Sequence, residues 1–236
     1  MSDPDLSDWR PPPLPPRTPL VGRYTRLEPL EPAHALDLHA ALAEDTAGDL
    51  WRYMGHGPFA DATTYANWVA SARIQHDPLH FAIRMADGRL GGTIALARIA
   101  PAAGSIETGW LTFAPRLQRS TEATEAVYLL MRWAFEAGYR RFEWKCNARN
   151  LRSRRAATRL GFSYEGLFRQ ADVVKGRNRD TAWFAAIDRD WPALRRAYGI
   201  WLDPANFDAQ GQQRQRLRDL TAPVLVAHDP LQTRPE

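Results

Sequence analysis

The residues of this chain best suited to chemistry sit at two strand-to-helix junctions. In the first, Arg116-Leu117-Gln118-Arg119-Ser120-Thr121 runs into an apolar helical pattern. Free amides at a helix N-terminus, aided by the helix dipole, form an anion site. A Ser/Thr-capped core helix gives the same pattern. In the second, Asn147-Ala148-Arg149-Asn150-Leu151-Arg152-Ser153-Arg154-Arg155 puts an amide (Asn150) and a hydroxyl (Ser153) one turn apart at a helix start, among clustered arginines. That pair is equally compatible with an N-cap and a solvated serine.

Charge sharpens the first reading. The net charge is +4, and Lys145 and Lys175 are the only lysines. Between Arg140 and Asp180, twelve basic residues face four acidic ones, whereas Met1–Gly55 is acidic on balance. A local positive field suits a compact polyanionic ligand. Nucleic acid is not expected, because aromatic side chains are not interleaved through Arg149–Arg159. The six histidines show no metal spacing and Cys146 is the one cysteine, so no metal and no internal disulfide are expected. No apolar run is long enough for a bilayer span and no secretory signal is visible; the expected compartment is the cytoplasm.

The elements that must position these residues follow from periodicity. Residues 1–20 carry seven prolines and read as an extended arm without a fold of its own. Strands are expected at Tyr24–Leu30, Leu79–Met85, Leu90–Ile99, Ile106–Phe113, Arg141–Cys146, Phe162–Val174 and Thr181–Asp188, with Asp87-Gly88 as a hairpin turn. Helices are expected at Pro32–Ala43, Asp61–His76, Thr121–Ala137, Leu151–Leu160, Trp191–Trp201 and roughly 210–220. The order argues an α+β fold, with a mostly antiparallel sheet and one parallel crossover. The organisation expected is an arm at 1–20, one domain at 21–190, and a helical appendage and tail at 191–236. With 236 residues the chain can bury its own core.

Thr121-Glu122-Ala123-Thr124-Glu125-Ala126, Glu143-Trp144-Lys145-Cys146-Asn147, Asn150…Ser153, Arg159-Leu160-Gly161-Phe162 and Glu165-Gly166 together resemble the GNAT N-acetyltransferase superfamily, in its RimJ/RimL-type branch. Arg169-Gln170-Ala171, Lys175–Trp183 and Asp190-Trp191-Pro192 extend the likeness, which covers roughly residues 22–220. It implies a GNAT-like sheet with splayed strands and flanking helices, and acetyl-CoA as cosubstrate for transfer to an amine. Pantetheine would lie between Ile106–Phe113 and Arg141–Cys146, pairing with Leu111, Thr112 and Phe113. The pyrophosphate would sit on Gln118, Arg119, Ser120, Thr121, Glu122 and Ala123, although Thr121 stands where the family usually has glycine. Asn150 would position the pantetheine arm, Ser153 would protonate the leaving thiolate, and Arg154 would reach the 3′-phosphate with Arg152 and Arg155.

For the base, the resemblance implies Glu107 or Asp172, with Glu165 third; some relatives have a glutamate near the position held here by Lys145. The acceptor would be a protein N-terminal amine or a small-molecule amine such as a polyamine, an amino-acid conjugate or an aminoglycoside-like antibiotic, the acidic N-half leaning toward a cation. Trp51, Tyr53, Phe59 and Trp68 are candidates for an acceptor wall. An acyl-cysteine route through Cys146 is disfavoured. The rival reading is a non-catalytic CoA- or nucleotide-binding regulator. A homodimer is compatible with the edge strand and tail helices.

Overall fold

The computed structural model describes residues 5–232; the first four residues of the expected arm and the last four of the tail lie outside it. One eight-stranded sheet organises the chain, in the spatial order β1-β2-β3-β4-β5-β6-β8-β7. Its strands are β1 (Leu20–Val21), β2 (Thr25–Pro29), β3 (Leu79–Met85), β4 (Leu90–Ala100), β5 (Ser105–Phe113), β6 (Arg141–Asn147), β7 (Ser163–Val174) and β8 (Arg177–Ile187). Every neighbouring pair is antiparallel except β5–β6. The expected mixed sheet with a single parallel crossover is therefore the sheet observed.

Helices α1 (Ala35–Leu42) and α2 (Ala62–Arg73) cover one region of the sheet, burying Leu38, Leu42, Tyr65 and Val69 with Leu30, Ala82 and Leu90. The main core is built by α3 (Thr121–Glu136), α4 (Leu151–Arg159), α5 (Trp191–Trp201) and the short α6 (Leu217–Thr221). Period-2 alternation sorts the strands between the layers: Leu79, Phe81 and Ile83 of β3 join the main core, while Ala82 joins the smaller one. Leu194, Tyr198, Trp201 and Leu217 belong to the main core, so the C-terminal helices are packed into the body of the fold.

Local rules account for most boundaries. Asp61, Ser120 and Asn150 each cap a helix, their side chains accepting from the amides of Thr64, Ala123 and Ser153. Gly88 turns the β3–β4 hairpin with φ 84°.

The structure adds the short strand β1, which was not expected, and starts β8 at Arg177 instead of Thr181; two further segments differ more. The helix expected at 210–220 is helical only from Leu217. Asp208 Oδ1 accepts from the amides of Gln210 and Gln212, and Asn206 Oδ1 accepts from Gln215 N, so side chains capture the backbone that a helix would use. The arm, in turn, is docked. Pro12 is buried, Tyr139 Oη donates to Pro13 O at 3.0 Å, and the Arg140 guanidinium lies 5.8 Å over the Trp9 ring.

Glu125, in the second turn of α3, ties that helix to the β1–β2 turn. Its buried carboxylate accepts from the amides of Arg23, Tyr24 and Thr25 at 2.7–2.8 Å. Gly22 is required beside it, because a Cβ there would fall 2.3 Å from Oε2. Truncating Glu125 strands three amides, at a cost of about 3 kcal/mol for charge-assisted hydrogen bonds lost at a buried site. Urea denaturation of Glu125→Ala is expected to read that loss, with Glu125→Gln intermediate; wild-type stability in both would remove the anchor.

Candidate active site at the fork of two strands

The parallel pairing of β5 with β6 lasts three residues, Ser105–Glu107 against Arg141–Glu143. Beyond Glu107, β5 diverges while β6 stays paired with β8 along all seven of its residues. Across β5, the strand β4 continues through a bulge: Ala95 faces Gly109 and Thr93 faces Thr112, so Ile94 opposes both Trp110 and Leu111. Trp110 takes the left-handed conformation, φ 55°, to make that bulge. The expected splay is therefore present, with Leu111, Thr112 and Phe113 on its β5 side. The Phe113 carbonyl already accepts from Gln118 Nε2 at 2.9 Å, which leaves it less free to pair with a ligand.

Glu107 stands at the fork. It is 4% exposed, and burial pushes its carboxyl up to about 7 against the opposing pull of Lys145 and Arg98. Oε2 lies 3.3 Å from Lys145 Nζ and 3.5 Å from Arg98 Nε, ionic contacts without an aligned hydrogen bond. Oε1 approaches Gly109 so closely that a Cβ there would sit 2.9 Å away. The charges continue across the sheet: Arg98 reaches Glu143 at 3.8 Å, Arg141 Nε donates to Glu143 at 2.7 Å, and Arg141 Nη1 donates to Glu165 at 2.6 Å.

The second candidate base does not share this setting. Asp172 is exposed on β7, opposite Arg179 and two strands away from β6, and its Oδ1 accepts from Val173 N. Because β8 lies between β7 and β6, Asp172 faces the solvated β7–β8 hairpin. Glu165 is consumed by Arg141.

Ser153 and Asn150 are brought together at the start of α4, Asn150 Oδ1 accepting from Ser153 N at 3.1 Å. Ser153 Oγ accepts from Trp144 Nε1 at 3.1 Å, which fixes its oxygen, and the hydroxyl also interacts with the Cys146 thiol. Arg154 corrects its expected role. It is 3% exposed and bidentate to the buried Asp229, with Nη1 donating to Ala148 O, so the tail holds it inside the fold with its charge already met. Arg152 is exposed and 3.4 Å from Asp49.

At the N-terminus of α3, the Gln118 amide donates to Ala114 O, Ser120 N to Leu117 O and Ala123 N to Ser120 Oγ. Within Gln118–Ala123 this leaves the amides of Arg119, Thr121 and Glu122 for a ligand, the latter two having no partner in the helix. Glu125 is turned away, onto the β1–β2 amides. Arg159 was read only as part of a motif, yet Nη1 donates to Thr124 Oγ1 one turn into α3 at 3.2 Å, with the guanidinium 5.1 Å over Trp201. No carboxylate neutralises Arg159 among the described residues, so it adds positive charge to that helix end.

On the Glu107 face, three of the four aromatic residues expected to wall the acceptor side, Trp51, Phe59 and Trp68, form a cluster, with Trp51–Phe59 at 5.4 Å and Phe59–Trp68 at 5.7 Å. His56, His80 and Trp110 complete it. Their signal lay in the tertiary register and not in any local motif. Tyr53 Oη donates to Arg149 O at 3.2 Å, and Lys175 Nζ donates to Trp51 O at 3.1 Å, so the loop after β6 and the β7–β8 turn, both on the β6 side of the fork, are tied to this cluster. Behind it, between α1 and the wall, lies a cavity of about 290 Å³ lined by His39, Trp51, Phe59 and Tyr65.

Residues 25–163 match the family model described as the acetyltransferase (GNAT) domain. A GCN5-related N-acetyltransferase from Brucella melitensis superposes with TM-score 0.90 at 45% identity, over 92% of this chain and 100% of that one. A probable GNAT-family acetyltransferase from Chromobacterium violaceum ATCC 12472 gives 0.75 at 39%, over 82% and 98%. RimL, the ribosomal L7/L12 α-N-protein acetyltransferase, solved as a disulfide-linked complex with coenzyme A, gives 0.62 at 22%, over 72% and 98%, a likeness of fold. No match is found among curated proteins.

The elevated Glu107 carboxyl has a stability consequence that needs no ligand. Its value is 4.5 in the unfolded chain and about 7 in the fold. As pH rises between those values the unfolded chain ionises first, so the native state loses about 3 kcal/mol, at 1.4 kcal/mol per unit. Glu107→Gln removes this loss. Urea midpoints at pH 5 and pH 8 are expected to show the variant gaining on wild type at the higher pH; parallel pH dependences would refute the buried-carboxyl assignment.

Proposed function

The chain belongs to the GNAT acetyltransferase family, and on that premise we propose that it is an N-acetyltransferase using acetyl-CoA to acetylate a primary amine. The observation that carries this reading is Glu107 at the fork, a buried carboxylate with a value near the pH at which a general base works best, beside strand backbone that β6 leaves unpaired. The residues suit the cosubstrate. Three uncommitted amides and the Arg119 and Arg159 cations surround the α3 N-terminus, and the acid nearest to it in sequence that is buried, Glu125, is turned aside. The RimJ/RimL branch and a cytoplasmic location are part of the proposal. One buried cysteine fits a reducing compartment, and among the described residues no helix is long and apolar enough to cross a membrane.

Bound acetyl-CoA supplies a thioester whose carbonyl carbon takes the amine and whose sulfur departs as thiolate. Each proton then has a place in this chain. The ionised Glu107 carboxylate receives the proton that the amine loses as the C–N bond forms. The unpaired N–H groups of β5 beyond Glu107 stabilise negative charge on the carbonyl oxygen. Ser153, its oxygen held by Trp144 Nε1–H, gives its proton to sulfur as the C–S bond breaks. Cys146 takes no part: burial raises its thiol to about 11, so it is not a thiolate at neutral pH. Lys145 sets the working range of the base, since its charge holds Glu107 below the value burial alone would give.

Isothermal titration with acetyl-CoA is expected to show micromolar binding that weakens in the Asn150→Ala/Ser153→Ala double variant. Binding without turnover of any amine would favour the rival non-catalytic regulator, and no binding at millimolar ligand would defeat the reading. In turnover, kcat/KM is expected to fall on the acid side with an apparent pKa near 7, and Glu107→Gln to lose about 10²-fold. Lys145→Met moves that limb to higher pH, because it removes the nearest charge favouring the carboxylate; Lys145→Arg leaves it in place.

A further inference from the structure

We infer that the acceptor is a primary amine on a short arm from a flat aromatic ring, carrying no second positive charge, and that Trp110 selects it. This rests on the transfer reading above.

The bulge that ends the regular β4–β5 register puts Trp110 in a conformation rare for tryptophan, φ 55°. Its ring is thereby brought to the Glu107 face. His80 of β3 pairs with Ala95 of β4, and Ala95 pairs with Gly109, so His80, Ala95 and Gly109 form a row on one face; Glu107, two residues before Gly109, shares it. The Trp110 ring meets His80 edge-on at 5.6 Å, on that same face. Glu107 and Gly109 are about 7 Å apart along the strand. A ring on Trp110 therefore reaches the Glu107 carboxylate through an amine on a short aliphatic arm.

Trp110 is also backed like a stacking platform. His56 stacks beneath it at 5.1 Å, and Trp68 stacks beneath His56 at 5.0 Å and 4°. His80 closes the edge against both tryptophans. Despite these contacts Trp110 remains 38% exposed. Both histidines have a buried Nδ1 without a hydrogen bond, and burial holds both near 4, so the platform is uncharged at neutral pH. A flat, uncharged, rigid indole face pairs best with another flat ring.

On the opposite side of the fork the acids Glu107 and Glu143 are already met by Arg98, Lys145 and Arg141, which leaves little to hold an additional cation. Arg98 and Lys145 lie 5.1 and 5.6 Å over the Trp183 ring, both also against Glu107. The Trp183 Nε1 and Arg179 Nε donors are buried without partners. These are donors and cations, which suit a neutral or acidic substituent and disfavour polyamines and aminoglycosides.

The test measures binding and turnover separately. With CoA saturating, 2-phenylethylamine and its saturated isostere 2-cyclohexylethylamine are titrated calorimetrically against wild type, Trp110→Ala and Trp110→Phe, with spermidine as the polycationic probe. Acetyl-CoA-dependent acetylation of each amine is followed in parallel, and melting temperatures verify the folds. The proposal expects the aromatic amine to bind wild type about tenfold tighter than the isostere, the preference to vanish in Trp110→Ala and return in Trp110→Phe, and spermidine to bind weakest. Equal affinities for ring and isostere, a preference unaffected by Trp110→Ala, or tightest binding of spermidine would each overturn it. Should the ring preference hold with no amine acetylated, the platform stands and the transfer reading falls.

Discussion

Everything at this site follows from the brevity of one strand pairing. Three residues of parallel register join β5 to β6, and beyond them the backbone polar groups of β5 on that side have no strand to meet. Buried amides and carbonyls without partners are costly, so a fold that leaves a row of them open at a sheet's centre has built a place for something else. Two features keep the gap open. The bulge at Trp110 and Leu111 turns β5 away from β6, and the seven-residue register with β8 holds β6 from following. The Gln118 side chain then closes β5 at Phe113, so the unpaired stretch is bounded at both ends.

The same divergence explains why a carboxylate can be both buried and useful. Glu107 is the last paired residue on β5, facing the last paired acid on β6, Glu143. Unscreened, two acids there would disfavour each other's ionisation; Arg98 lies against both and Lys145 against Glu107. Desolvation still outweighs these cations and leaves Glu107 near neutrality. The lysine at position 145 therefore acts on Glu107 from the adjacent strand. An acid in its place would have raised Glu107 further and divided the proton between two groups.

How much of this was legible follows from the range of each interaction. Strand and helix positions were, because alternation, caps and turn glycines act within a few residues: Asp61, Ser120, Asn150 and Gly88 do what their types predict. The Asn150–Ser153 pair was legible because its bond spans three residues. Arg154 was misread because its partner, Asp229, is 75 residues away. The setting of Asp172 was not legible, because sequence order gives no hint that β8 lies between β6 and β7. The stack of Trp68, His56 and Trp110 joins α2, a loop and a bulge, and no periodicity could have announced it.

Charge shows the same limit with a clearer consequence. The acidic balance of the first 55 residues suggests attraction for a cationic acceptor. In the fold four of those nine acids are paired with arginines from outside the segment: Glu28 with Arg84, Glu31 with Arg73, Glu44 with Arg116, and Asp49 with Arg152. A carboxylate paired with a guanidinium presents little net field to a ligand, and beyond a Debye length what remains is screened. The charges at the fork are instead Arg98 and Lys145, contributed by β4 and β6, together with the Glu107 and Glu143 carboxylates they meet. Net charge by segment thus predicted a field that pairing cancels, and the charges around Glu107 are those the sheet brings together.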